Sequence, residues 1–238
     1  METYPIQAEV TQRIGKVTIL NHIQLSLKKG EIFGLLGPSG SGKTTFIKLL
    51  CGIDEASEGT VRVFDELMPA LHLMKRIGYM AQSDALYTEL TAKENLEFFA
   101  SLSGVKRLQL KERIRSVMQL VDLEQDIHKK VEQYSGGMKR RLSLAIALLH
   151  QPDILLLDEP TVGIDPALRQ RIWSTFEDLR RKGVLILVTT HVMDEAERCS
   201  RLGMIRNGRL IAVGTPEEIK ARTESHTIEQ AFLSYGGE

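Results

Sequence analysis

The sequence predicts an α/β fold: a mainly parallel sheet with helices on it, interrupted by an inserted helical lobe. Three observations carry this. Continuous aliphatic runs at 154–157 and 184–188 suit parallel strands buried on both faces. Strands alternate with helices toward both ends of the chain, and between them residues 84–152 are helical in pattern.

Taken in order, 17–20 and the alternating Ile23, Leu25 and Leu27 read as short β segments ending at a Lys28-Lys29-Gly30 turn. Residues 32–36 then make a compact apolar strand that runs straight into glycines. Helical composition follows at 44–50, and 61–63 and 77–82 read as further strands. Thr91 with Glu94 three residues on is a capping box, opening a helix with its apolar face through Leu96, Phe99 and Leu102. A second helix is expected over 110–120, and a third from Met138 to His150, where Pro152 stops it. Asp165-Pro166 supplies an N-cap and a first helical residue, and Leu168, Ile172, Phe176 and Leu179 keep one apolar face until Gly183. Asn207-Gly208 is a hairpin turn, and 215–218 caps what reads as the final helix.

At 238 residues the chain suffices for one sizeable α/β domain with an inserted lobe, not for two full domains. Lys plus Arg and Asp plus Glu both total 31, so no overall basic field draws it to nucleic acid or acidic lipid. With 42% hydrophobic and 26% charged residues it is too apolar for a disordered protein, and with 5% aromatics its core is aliphatic. The longest uncharged stretches, such as 32–42 and 142–152, fall short of the roughly 20 residues needed to span a bilayer. Met1-Glu2-Thr3-Tyr4-Pro5 lacks the basic start of a secretory signal, which implies a cytoplasmic protein. Cys51 and Cys199 have no metal-ligand spacing and read as packed thiols in a reducing compartment.

Gly37-Pro38-Ser39-Gly40-Ser41-Gly42-Lys43-Thr44 fits the phosphate-loop pattern G-x-x-x-x-G-K-[ST], between an apolar strand and a helix. Glycines let consecutive backbone N–H groups and the helix N-terminus face one anion. Lys43 adds a charge for β and γ phosphates, and the Thr44 hydroxyl suits Mg²⁺. Asp158 and Glu159 follow four aliphatic residues, at the carboxyl end of a strand where open parallel sheets bind ligands. Successive strand residues face opposite ways, so Asp158 suits the Mg²⁺ shell through water while Glu159 can polarise an attacking water. Tyr134-Ser135-Gly136-Gly137-Met138 places Ser and two glycines at a helix N-terminus, which by itself is equally an ordinary N-cap.

In this order the segments resemble the nucleotide-binding subunit of an ATP-binding cassette (ABC) transporter over nearly the whole chain. Residues 134–138 resemble the family signature, usually Leu-Ser-Gly-Gly-Gln, with Met138 in place of the glutamine. Gln82 stands where the Q-loop glutamine is expected, 161–165 resembles the D-loop, and His191 after Thr189-Thr190 matches the switch histidine. The closest likeness is to drug, antibiotic or polymer exporters with a separate membrane chain.

The resemblance implies a RecA-like P-loop NTPase core with a mainly parallel sheet and an N-terminal antiparallel β subdomain, over 1–83 and 153–238, and an inserted α-helical subdomain with the signature over 84–152. It implies ATP hydrolysis with Mg²⁺ in a head-to-tail homodimer, each ATP lying between one chain's phosphate loop and the other chain's Ser135, Gly136 and Gly137. Integral membrane subunits would handle the cargo, with this chain peripheral on the cytoplasmic face and no nucleic-acid partner. Thr45 would grip the α and β phosphates, and Gln82 would link the Mg²⁺ shell to the helical lobe. Glu159 would act as the base, His191 would contact the γ-phosphate, and Asp165 would lie at the dimer seam, where N-capping is a compatible role. Ile14 stands where the family stacks an aromatic on adenine, so weak base selectivity is expected.

A soluble cassette protein for macromolecular assembly or nucleic-acid maintenance is the alternative. It is disfavoured because the sequence has no long coiled coil, second cassette, zinc module or basic excess. A small-molecule kinase would leave 134–138 and His191 unexplained.

Overall fold

The computed structural model describes residues 4–83 and 85–235. Asp84, the expected first residue of the helical lobe, and Met1, Glu2 and Thr3 of the expected leaderless start lie outside the described residues.

Strands β1 (Ile6–Ile14) and β2 (Val17–Leu27) form an antiparallel hairpin. β1 has the period-2 signature of a half-buried strand: Ile6, Ala8 and Val10 are buried while Gln7 does not share their face. β3 (Ile32–Leu36) crosses to a second sheet and feeds α1 (Lys43–Leu50), after which β4 (Glu58–Val63) and β5 (Glu66–Leu67) return to the first. That sheet has the order β2-β1-β4-β5 and is antiparallel throughout.

The second sheet is completed by β6 (Ile77–Met80), β7 (Ile154–Asp158), β8 (Leu185–Thr190), β9 (Arg201–Arg206) and β10 (Arg209–Gly214). Its order is β10-β9-β3-β8-β7-β6, parallel except for the hairpin β9–β10, whose turn residues Asn207 (φ 48°) and Gly208 (φ 71°) are both left-handed. Between β6 and β7 come α2 (Ala92–Leu102), α3 (Arg107–Leu120) and α4 (Gly136–Leu148). The Thr91–Glu94 capping box is fully formed, with Thr91 Oγ1 accepting from Glu94 N at 3.2 Å and Glu94 Oε2 from Thr91 N at 2.7 Å.

After β7 come α5 (Pro166–Arg181), α6 (Met193–Ala196), α7 (Pro216–Arg222) and α8 (Ile228–Tyr235). The helix capped at 215–218 is therefore not the last. Ile228 and Ala231 of α8 are buried, and Thr227, three residues before Gln230, starts the helix by accepting from Gln230 N at 3.1 Å, a capping signal absent from the sequence reading. The strand expected over 77–82 ends at Met80, and the helix expected over 138–150 starts at Gly136 and ends at Leu148.

Strand alternation divides the core into two layers. Ile32, Leu36, Leu155, Leu157, Ile186 and Val188 face the layer shared with α2–α5. Phe33, Leu35, Ile154, Leu156, Leu185 and Leu187 face a layer with α1 and the antiparallel sheet. Burying each such side chain contributes roughly 1.5–3 kcal/mol, and since these three central strands are covered on both faces, their carboxyl ends are fixed side by side.

Candidate functional site

β3, β8 and β7 are neighbours, with Leu36 opposite Thr190 and Asp158 opposite Thr189. The glycine-rich loop, the acidic pair and His191 therefore leave the same edge of one sheet. Gly42 is the N-cap of α1 at φ 105°, and a Cβ there would lie 2.5 Å from Leu20 Cδ2, so only glycine fits. The loop is also held from behind: Asn21 N donates to Gly208 O (2.8 Å), Gly208 N to Ser41 O (3.2 Å) and Ser41 N to Pro38 O (3.3 Å).

In front of the loop is a cavity of about 330 Å³ lined by Ser39, Gly40, Gly42, Lys43, Thr44 and Thr45 together with Ile19, Gln82 and Glu159. A larger hollow of about 490 Å³ lies in the helical lobe among Leu110, Ile114 and Ile127, with none of the loop residues in its wall. Size does not mark the chemical site here; the convergence of a cation, amides and acids does. The buried Lys43 ammonium donates to Gly37 O (2.7 Å) and Pro38 O (3.0 Å). Burial pulls its pKa below the ordinary value, and the Glu159 and Asp158 carboxylates pull it back up.

Asp158 is 1% exposed, and hydroxyls close on both its oxygens. Thr44 Oγ1 donates to Oδ2 at 2.6 Å and Thr189 Oγ1 donates to Oδ1. Glu159 stands just past β7 at φ 52°, a left-handed conformation uncommon for a non-glycine residue. Its N–H donates to Thr189 Oγ1 (3.0 Å), and its Oε1 lies 3.1 Å from His191 Nδ1. A carboxylate only accepts, so Nδ1 carries the hydrogen.

Ile14 stands at the tip of the first hairpin, 62% exposed, and Ile19 rather than Ile14 reaches the cavity wall. Ser135 caps α4 by accepting from Met138 N at 3.2 Å, and Ser135 and Gly136 are exposed, outside the cavity. A Cβ on Gly137 would come 3.3 Å from Gly163 O, which places the Ser135 turn against the 161–165 loop. Asp165 caps α5, its Oδ1 accepting from Leu168 N at 3.0 Å, and it also lies outside the cavity.

Three participants are absent from the sequence reading. Thr189 is seen there only as a strand residue, yet it holds both acids. Glu195 is buried, accepting from Thr161 Oγ1 and, at 2.8 Å, from Thr190 Oγ1. Arg140 of α4 is 9% exposed and donates to the carbonyls of Ala81 (2.8 Å), Gln82 (2.7 Å), Asp158 and Glu159 (2.7 Å).

For a divalent cation, Thr44 and Asp158 offer hard oxygen ligands, and among the described residues no cluster of three or more His, Cys, Asp or Glu competes. A hydroxyl, one carboxylate, water and phosphate oxygens form the donor set Mg²⁺ favours over softer metals. Among the described residues no helix is long and apolar enough to cross a membrane.

Known proteins resemble this chain in sequence and in fold. The family described as ABC transporter matches residues 20–162. The probable multidrug ABC transporter ATP-binding protein YbhF of Escherichia coli K12 is 39% identical over 239 residues, 98% of this chain and 41% of that relative. The linearmycin resistance ATP-binding protein LnrL of Bacillus subtilis 168 is 40% identical over 233 residues, 96% of this chain and 75% of that one. The chain thus spans about two fifths of the length of YbhF and three quarters of LnrL. A dimeric, post-hydrolysis structure of the ATP-binding cassette MJ0796 bound to ADP and Pi is similar with a TM-score of 0.82 and 26% identity, over 88% of this chain and 98% of that one.

Proposed function

Because this chain belongs to the ABC transporter family, we propose that it binds and hydrolyses ATP to power an exporter whose membrane-spanning parts are separate chains. The observation that carries the reading is the meeting of a buried lysine, a paired carboxylate and a carboxylate–histidine contact around one glycine-lined cavity. The multidrug and resistance names of YbhF and LnrL support outward movement of small compounds.

In this reading Lys43 holds the β and γ phosphates, and Thr45 with the loop amides grips the α and β phosphates. Thr44 and Asp158 would hold Mg²⁺, which when bound would offset phosphate charge. Glu159 takes a proton from the attacking water as the water oxygen bonds to the γ-phosphorus and the bridging oxygen leaves with ADP. His191, steadied through Nδ1 by Glu159, turns Nε2 to the γ-phosphate, and Gln82 reports the site to the lobe of 84–152.

One loop and one lysine cover only one side of a highly charged triphosphate, so a second copy supplies the other through Ser135, Gly136 and Gly137. The exposure of that turn and the dimeric form of MJ0796 support this. Loss of the γ-phosphate removes contacts made only in the closed pair, and the halves separate. The chain then works on the cytoplasmic face of a membrane, held by its membrane partners.

The test is affinity purification from native membranes. A copurifying polytopic membrane protein is the expected result; a soluble assembly partner in its place overturns the transport reading.

A further inference from the structure

The Arg140 side chain joins parts of the molecule assigned to different nucleotides. Its backbone lies on α4, whose first turn begins at the Ser135 cap, five residues earlier. At 1.5 Å per residue that is about 7.5 Å along one rigid helix. Its guanidinium reaches into the core, where Nη1 donates to Ala81 O (2.8 Å) and Gln82 O (2.7 Å) and Nη2 to Asp158 O and Glu159 O (2.7 Å). Nε adds a second bond to Glu159 O at 3.2 Å.

These carbonyls lie just beyond β6 and at the end of β7, beside the cavity. At Glu159 the effect is sharpest: its N–H is held by Thr189, its carbonyl by Arg140, and its φ is 52°. Both flanking peptides are fixed, so the carboxylate's aim follows the guanidinium. Charge-assisted bonds from a planar fork make this a stiff connection that a lysine, with its single ammonium, cannot reproduce.

We propose that Arg140 is a positioning residue that joins the two nucleotide sites of the dimer, tying the turn this chain lends to its partner's nucleotide to the aim of Glu159 at its own. The inference rests on the head-to-tail reading above. When the partner's nucleotide seats against Ser135, α4 shifts as one body, and Arg140 carries the shift to the Gln82 and Glu159 peptides.

The test uses mixed dimers of the full chain carrying two different affinity tags, one chain bearing Glu159→Gln so that a single site turns over. Arg140→Lys is placed first in the hydrolysing chain and then in the Glu159→Gln chain, which serves the live site only through its Ser135 turn. Both placements are expected to lower kcat at the live site at least fivefold, with KM changed less than twofold and the unfolding temperature unmoved. A local brace would act only from the hydrolysing chain, so turnover within twofold of the parent from either placement overturns the proposal. Arg140→Gln repeats both arms should the lysine variant unfold. If the Glu159→Gln parent fails to dimerise with ATP and Mg²⁺, the dimer reading falls and this inference with it; dimers that form but lack either arm overturn the inference alone.

Discussion

Glu159 Oε1 and His191 Nδ1 are 3.1 Å apart, joining residues that leave the ends of the neighbouring strands β7 and β8. The glutamate side chain is 13% exposed and the histidine 49%, so the pair runs from the protein wall out to solvent. Nδ1 is committed to the carboxylate, which leaves Nε2 for a second partner.

Replacing Glu159 with Gln keeps the shape of this contact and removes the proton acceptor. Phosphate release is expected to fall about 10²- to 10⁴-fold, while ATP binding persists and size-exclusion chromatography shows an ATP-dependent dimer. Turnover near the parent rate would assign the base elsewhere.

Thr189→Val preserves a β-branched strand residue and deletes the hydroxyl that serves Asp158 and Glu159. One oxygen of a nearly inaccessible carboxylate then lacks its donor, which costs about 1–3 kcal/mol. Urea unfolding should show that loss, and phosphate release should slow as Glu159 loses one of its anchors.

His150 provides a pH test remote from the phosphate loop. Burial lowers its pKa from the usual 6.5, partly offset by its hydrogen bond to Ile77 O at 3.1 Å. The unfolded chain takes up this proton first, so the contribution to stability is complete above about 6.5 and is lost as pH falls toward the lower folded value. His150→Gln should flatten the decline of unfolding temperature from about pH 7 to about pH 5; an unchanged slope would exclude His150 as the source.

Ile14→Tyr tests the missing adenine stack. A ring at the hairpin tip should tighten ATP by about 0.5–1.5 kcal/mol, roughly 2- to 12-fold, and the parent should bind ATP and GTP with similar affinity in a competition assay. Unchanged ATP affinity in the variant would show that the base does not reach position 14.

Much of the fold is legible in the sequence because its signals are local. Aliphatic runs at 154–157 and 184–188, the Thr91–Glu94 box and the Asn207-Gly208 turn each fix backbone conformation within a few residues. The phosphate loop is legible for the same reason. Arg140 is not: nothing local to Lys139-Arg140-Arg141 marks which cation is buried, and only the packing of α4 against β6 and β7 turns Arg140 inward. Thr189 and Glu195 are hidden likewise: the threonine meets Asp158 and the glutamate meets Thr161 across long stretches of chain, although Glu195 also takes a bond from the nearby Thr190. β1 is legible on the same ground, because Ile6, Ala8 and Val10 alternate with polar Gln7 and Glu9.

The hairpin turn behind the phosphate loop has a kinetic consequence. With Asn21, Gly208 and Ser41 linked in series, the receptacle is cast while the chain folds, and a Cβ on Gly208 would strike Ile19 O at 2.2 Å and break the mould. If phosphate binds as proposed above, it meets a loop already braced from behind, so capture should proceed at a diffusive pace and discrimination should fall to the slower events that follow it.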